Sequence, residues 1–347
     1  MRLSQGRASL ASELFEFEMI RSFFRSRRWA LWAYGGGAGL FAGIYVQVYL
    51  SVLLNDWYGR YFNILQKPTE YGLPAFWGSL WEWVYLVVPY ILVATAVSYF
   101  TRLFSLRWRE AITFDYIPRW RNVVEEIEGS SQRIQEDAFR FARIIESLGL
   151  QVVRAIMTLA AFLPILWQMS ASIEVPFIKD IPGSLVWLAI LTSLGGMAIS
   201  WIVGMKLPGL EYNNQKVEAA LRKELVLGED DKINHASTET LTELFTGIKF
   251  NYHRLFLHYG YFDLWVWFYD QGVSLLPEII AAPALFAGKI MLGTLMQIGN
   301  AFGKVHTSFA LFIHNWTTIT ELRSIWKRLH EFEANLNKYH VEEKKGE

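Results

Sequence analysis

The chain predicts an all-α membrane protein with six transmembrane helices, and three observations predict it. Apolar residues fill 52% of the 347 positions and aromatic residues 16%, while only 19% are charged. That is far more aromatic mass than a soluble domain of this length buries. The mean hydropathy is nevertheless only +0.19, so long polar segments must alternate with very apolar ones. The apolar stretches lie at about 29–54, 73–101, 147–169, 183–205, 255–288 and 290–317. Each supplies the ~20 helical residues that cross a bilayer core.

The first stretch carries no charge from Trp29 to Leu54. It is too long for the core of a cleavable signal, and the segment before it is polar. Arg2, Arg7, Arg21, Arg25, Arg27 and Arg28 precede it, which puts the N-terminus in the cytosol. Segments 102–146, 206–254 and 318–347 are then cytosolic too, with eight, seven and six Lys or Arg. The external connections hold only Arg60, Lys67, Lys179 and Lys289, so the bias is 27 inside against 4 outside. Arg154 and Lys304 fall within spans. The division is a cytosolic segment 1–28, a transport domain 29–320 and a cytosolic tail 321–347. Both termini are expected in the cytosol of a bacterium, with the protein multi-pass in its inner membrane.

The connections after spans two and four are long, and both read as helical. Arg119–Ser147 is rich in Glu, Arg, Ile and Gln, and Glu211–Gly228 is a run of strong helix formers. Continued into spans three and five, they project into the cytosol. The fifth span is long enough to tilt or kink, with Pro277 and Pro283 inside it. Six spans with two cytosolic extensions are similar to the transmembrane half of an ABC exporter, an analogy of topology alone.

Composition also excludes chemistry. No Cys is present, which removes disulfides, thiolate catalysis, Fe–S clusters and Cys-ligated zinc. Lys plus Arg and Asp plus Glu both number 33, and no nucleic-acid partner is expected. No phosphate-binding G-x-x-x-x-G-K-[ST] occurs; Gly288-Lys289-Ile290 and Gly303-Lys304-Val305 lack its other residues. Hydrolase, metalloprotease and kinase signatures are missing as well. The chain is expected not to be an enzyme and to hold no cofactor or metal. Energy must come from a separate ATPase or from a gradient.

Three stretches carry a resemblance. The first is Ile127-Glu128-Gly129-Ser130-Ser131-Gln132-Arg133-Ile134-Gln135-Glu136-Asp137, followed by Arg140-Phe141-Ala142, Ala155-Ile156-Met157-Thr158-Leu159 and Phe162-Leu163-Pro164. The second is Lys206-Leu207-Pro208-Gly209-Leu210-Glu211, then Val217-Glu218-Ala219-Ala220, Arg222-Lys223-Glu224-Leu225 and Gly228-Glu229-Asp230-Asp231. The third is Asn315-Trp316-Thr317-Thr318, then Glu321-Leu322, Lys327-Arg328-Leu329 and Phe332-Glu333. Over roughly residues 24–335 the chain resembles the SbmA/BacA family of bacterial inner-membrane peptide transporters. The resemblance implies a homodimer with an ABC-exporter-like membrane fold and no ATPase domain. It further implies that peptides, antimicrobial ones included, pass from periplasm to cytoplasm at the expense of the proton gradient. The chain departs from longer members by starting with a short polar segment rather than additional hydrophobic sequence.

A proton-coupled carrier needs groups whose protonation changes a conformational preference, and carboxylates in a partly dry cavity suit this. On one helix Glu125, Glu128, Glu136 and Glu146 fall within an arc of about 80°, and Glu128 to Glu146 spans ~27 Å. Glu211 and Glu218 share a face below span four. Glu224, Glu229 and Glu321 join these as candidate coupling groups through the family-like motifs. Asp263, Asp270 and Glu278 lie on one side of span five, with Lys304, His306 and His314 in span six as partners. Each has a plainer reading. Glu136 with Arg140, and Glu146 with Arg143, are spaced to pair on a solvated helix. Asp230 and Asp231 suit a solvated turn. The span-five acids suit packing or an interface. Gly35, Gly39 and Gly43 read as close packing more than as a dimer contact. Trp77, Trp81, Trp83, Trp265 and Trp267 read as headgroup-level aromatics more than as a peptide path.

Two further functions stay open: an ABC half-transporter subunit moving lipid, cobalamin or peptide with a separate ATPase, and a non-transporting membrane scaffold.

Overall fold

The computed structural model describes residues 18–123, 127, 129–173 and 181–338, and every regular element among them is a helix. In chain order, α1 is Glu18–Phe24 and α2 is Leu31–Gln66, opening with a π-helical turn over Leu31–Gly36. α3 is Pro68–Arg121, kinked at Gly72. α4 is Ser130–Ser172, with a π-helical turn over Arg133–Asp137. α5 is Ser184–Gly204, α6 Leu207–Asp230 and α7 Thr238–Phe286. α8 is Leu292–His314 and α9 Trp316–Lys338.

Four stretches are long and apolar enough to cross a membrane: α2, α3, α4 and the run Ser184–Asp230 that joins α5 to α6. They contain the first four spans expected from the sequence. The fifth and sixth apolar stretches lie in α7 and α8. There Asp263, Asp270, Glu278, Lys304 and His306 interrupt the apolar runs, and neither helix is among the four.

Two connections differ from expectation. The link after the first span is helical as far as Gln66, because its polar last turn has a task. Asn63 Oδ1 accepts from the Gly293 amide at 2.8 Å and Gln66 Oε1 from the Leu292 amide at 2.7 Å. These side chains satisfy amides that the start of α8 leaves open. The helix then stops at Lys67, the residue before Pro68, where the α region is disfavoured. The second difference concerns the expected helix from Arg119 onward. α3 ends at Arg121 and α4 begins only at Ser130. Gly129 between them has φ 72°, a left-handed conformation open to glycine at little cost. Of the expected ladder, Glu136 and Glu146 share α4. Glu125 and Glu128 themselves lie outside the described residues.

Two cores hold the helices together. In the first, Phe23 of α1 stacks on Trp108 of α3 at 5.6 Å between ring centroids, and Trp108 meets Phe141 of α4 edge-on. Ile325, Leu329 and Phe332 of α9 close that core. The second joins Phe162 and Leu166 of α4, Leu185 and Ala189 of α5, and Ile298 and Phe302 of α8. Gly43 packs against α3: a Cβ there would collide with Val97, so close α2–α3 packing requires glycine. Outward faces stay apolar, with Trp81, Tyr85 and Leu92 of α3 and Trp267 and Phe268 of α7 exposed, as in helices that meet lipid.

Candidate functional site

Titratable groups gather at two levels. The first lies where α9 docks between the C-terminal end of α3 and the N-terminal end of α4. Asp137, 1% exposed, accepts from Arg133 Nη1 at 2.8 Å and from Arg328 Nε and Nη2 at 3.0 and 2.7 Å. Burial pushes its carboxyl up, but the two guanidiniums outweigh that and hold it below the usual carboxylate range. Glu333, 4% exposed, accepts from the Met19 amide at 3.0 Å and from the Tyr116 hydroxyl at 2.8 Å. Burial, and then the Glu333 charge, push the Tyr116 hydroxyl well above its ordinary range. Trp108 Nε1 donates to the Met19 carbonyl at 3.0 Å. One carboxylate thus ties α1, α3 and α9 together. The sequence reading assigned no role to Asp137, Arg328 or Glu333, although all three stand in the family-like stretches and Arg133–Asp137 has i,i+4 spacing.

The proposed coupling carboxylates divide by environment. Glu146 is 7% exposed, and its Oε1 is buried without a hydrogen-bond partner. Arg143, the partner weighed from sequence, lies over the Phe139 ring at 5.4 Å. Glu136 pairs with Arg140 at 2.6 Å, and the same guanidinium reaches Glu321 of α9 at 3.4 Å. That half-exposed triad matches the plainer reading for Glu136, and it joins two motifs far apart in sequence. Glu211 is half-buried and accepts from the Tyr259 hydroxyl at 2.8 Å, which pins α6 to α7. Glu218 is half-buried and Glu229 exposed. Glu224 accepts from the Ala236 amide at 2.9 Å and faces His235; it shapes the α6–α7 turn, where Ala236 has φ 55°. Asp231 forms the solvated turn expected of it, accepting from the Ile233 and Asn234 amides.

The second level is a cleft of about 280 Å³ between α7 and α8, lined by Asp270, Ser274, His306, Thr307 and His314 among others. Here the acid and the imidazole chosen from sequence meet, His306 Nε2 lying 4.0 Å from Asp270 Oδ1. His306 Nδ1 and Ser193 Oγ of α5 are hydrogen-bonded at 3.2 Å. The Tyr269 ring abuts the imidazole at 5.4 Å, and its hydroxyl donates to the Thr192 carbonyl at 2.8 Å. Ser193 and Tyr269 carried no sequence signal, because neither sits in a motif. Asp263 and Glu278 are exposed on other parts of α7, and Lys304 is exposed on α8. Of the five tryptophans, Trp265 donates to Ser200 Oγ at 2.9 Å, while Trp77, Trp81, Trp83 and Trp267 point outward. Among the described residues no cluster of His, Asp and Glu could hold a metal ion.

Comparison with known proteins gives the geometry its context. The model of the SbmA/BacA-like family matches residues 26–337. The chain is 28% identical over 311 residues to the inner membrane ABC transporter ATP-binding protein YddA of Escherichia coli, covering 82% of this chain and 54% of that protein. It is 26% identical over 311 residues to the chloroplastic ABC transporter D family member 2 of Arabidopsis thaliana, covering 84% of this chain and 41% of the relative. The chain thus spans about half the length of the curated relatives it matches.

Proposed function

The chain belongs to the SbmA/BacA-like family, and from that premise we propose that this membrane transporter imports peptides by coupling them to the proton gradient. Peptides, antimicrobial ones included, enter from the periplasm and leave to the cytoplasm through a homodimer whose cavity lies between two six-span, exporter-like subunits. The protein hydrolyses no nucleotide itself and needs no cofactor. Both termini are cytosolic.

One observation carries the coupling: Glu146 of α4 is buried with a carboxylate oxygen, Oε1, that has no hydrogen-bond partner. A carboxylate in that position has little to hold it ionised, so the loss and gain of a proton can track a conformational change. Glu211 and Glu218, half-buried on α6, and Glu128 are the accompanying candidates. Each proton entering down 100 mV supplies ~2.3 kcal/mol, so two at about 150 mV supply roughly 7 kcal/mol, enough for ~10⁵-fold accumulation of a neutral solute.

A second reading has its own support. Several of the relatives are named as ABC transporter ATP-binding proteins, which favours a membrane unit worked by an ATPase. Purified chain in proteoliposomes, given a fluorescent peptide and an imposed pH gradient without nucleotide, separates the two. Gradient-driven accumulation supports the proton-coupled carrier. Uptake that appears only with ATP and a second protein replaces it with the half-transporter.

A further inference from the structure

The α7–α8 cleft holds a titratable pair that the coupling carboxylates do not use. We propose that Asp270 and His306 form a proton-binding pair inside the membrane domain, a second titratable centre where α5, α7 and α8 meet. Its role in transport rests on the proton-coupled reading; its existence as a proton site does not.

Three observations build it. Asp270, Ser193 and His306 each lie well inside their helices, far in sequence from any helix end, so the cleft is within the bilayer if these helices span it. The imidazole is oriented: Ser193 Oγ holds Nδ1 at 3.2 Å, Tyr269 packs on the ring, and the Tyr269 hydroxyl is itself anchored on Thr192. Nε2 is left as the nitrogen directed at Asp270. The gap of 4.0 Å is too long for a hydrogen bond and short enough for an ion pair. The two groups therefore interact weakly while the imidazole is neutral and strongly once it is charged.

The charge balance gives the pair its chemistry. With neutral His306, the cleft holds one carboxylate charge, costly at this depth. One proton bound at Nε2 makes an imidazolium beside that carboxylate, and the net charge of the cleft becomes zero. Charging also draws the two side chains together, pulling α8 toward α7 across a cleft whose α8 wall carries Gly299 and Gly303. No competing charge dominates. α5 has no titratable side chain. Arg154 of α4 and Lys304 of α8 are exposed, and the only acid of α2, Asp56, is engaged by Arg60. Tyr269 comes from α7, and His314 of α8 lines the same cleft and acts on His306 as a like charge when protonated, after Asp270 in strength.

Histidine NMR on the ¹⁵N-labelled full chain in nanodiscs tests the site without transport. His306 is assigned by its absence from His306→Gln, and Asp270→Asn should displace the His306 titration midpoint by about one pH unit or more. Lys304→Gln should leave it within a few tenths. A midpoint unmoved by Asp270→Asn overturns the pair. In proteoliposomes, His306→Gln and Asp270→Asn should each cut gradient-driven peptide uptake roughly tenfold while peptide exchange without a gradient persists. Driven uptake at the wild-type level in both variants overturns the coupling role. Absence of driven uptake in the wild type removes the proposed function instead, and leaves the proton site to be decided by the titration.

Discussion

The two levels of charge are built on opposite principles. At the α9 junction, Asp137 receives three guanidinium hydrogen bonds and Glu333 receives two from neutral donors. In the bundle, Glu146 keeps an unpartnered oxygen and Asp270 meets His306 only at 4.0 Å. A fully paired buried charge is fixed, because removing its proton partner or its ion partner leaves an uncompensated charge. An under-paired one can change protonation at little structural cost. The junction charges are therefore the fully paired ones, while Glu146 and Asp270 are the under-paired ones on which the proposals rest.

The largest expected effect breaks the junction. Asp137→Ala removes the buried carboxylate between the partly exposed Arg133 and Arg328 and leaves the two like charges facing each other, which should cost about 3 kcal/mol, read as a lower thermal midpoint in detergent. The pH dependence has a definite sign. Because the folded carboxyl titrates below its unfolded value of about 3.9, its contribution is present above that pH and is lost as pH falls through the lower folded value. Wild type should thus shed this stability below pH 4, while Asp137→Asn shows no such component.

Overpacking comes next. Gly43→Leu drives a side chain into Val97 and should cost about 1–3 kcal/mol, without changing the oligomeric state on size-exclusion chromatography. A dissociated dimer with unchanged thermal midpoint would return Gly43 to a dimer contact.

Smaller still is Glu146→Gln, which sharpens the comparison. It should change stability by less than about 1 kcal/mol, since no ion pair is lost, yet abolish most gradient-driven uptake. Destabilisation as large as that of Asp137→Ala would make Glu146 a structural acid. Least of all is exposed Glu229→Gln, expected within about 0.5 kcal/mol of wild type and with normal uptake.

Much of the fold was legible because lipid imposes a simple demand. Backbone groups must be satisfied within the helix and side chains must be apolar, so the stretches 29–54 and 183–205 mark α2 and α5 from composition alone. The i,i+4 spacing of Glu136 and Arg140 likewise announced their pair. The break between Arg121 and Ser130 was not legible, because Gly129 takes a left-handed φ of 72° and a glycine in sequence does not declare its φ. The α9 junction was hidden for another reason: Asp137 to Arg328 and Tyr116 to Glu333 span most of the chain, and no local pattern couples such positions.

Sequence by itself determined the class, the family and the inventory of charges, since these depend on composition and on motifs read in order. Only the tertiary structure decided which charges are held and which are free. That distinction depends on burial and on partners brought from distant helices, as Ser193, Asp270 and His306 are, and the free energy of ionising a buried group is set by those neighbours rather than by its own place in the chain.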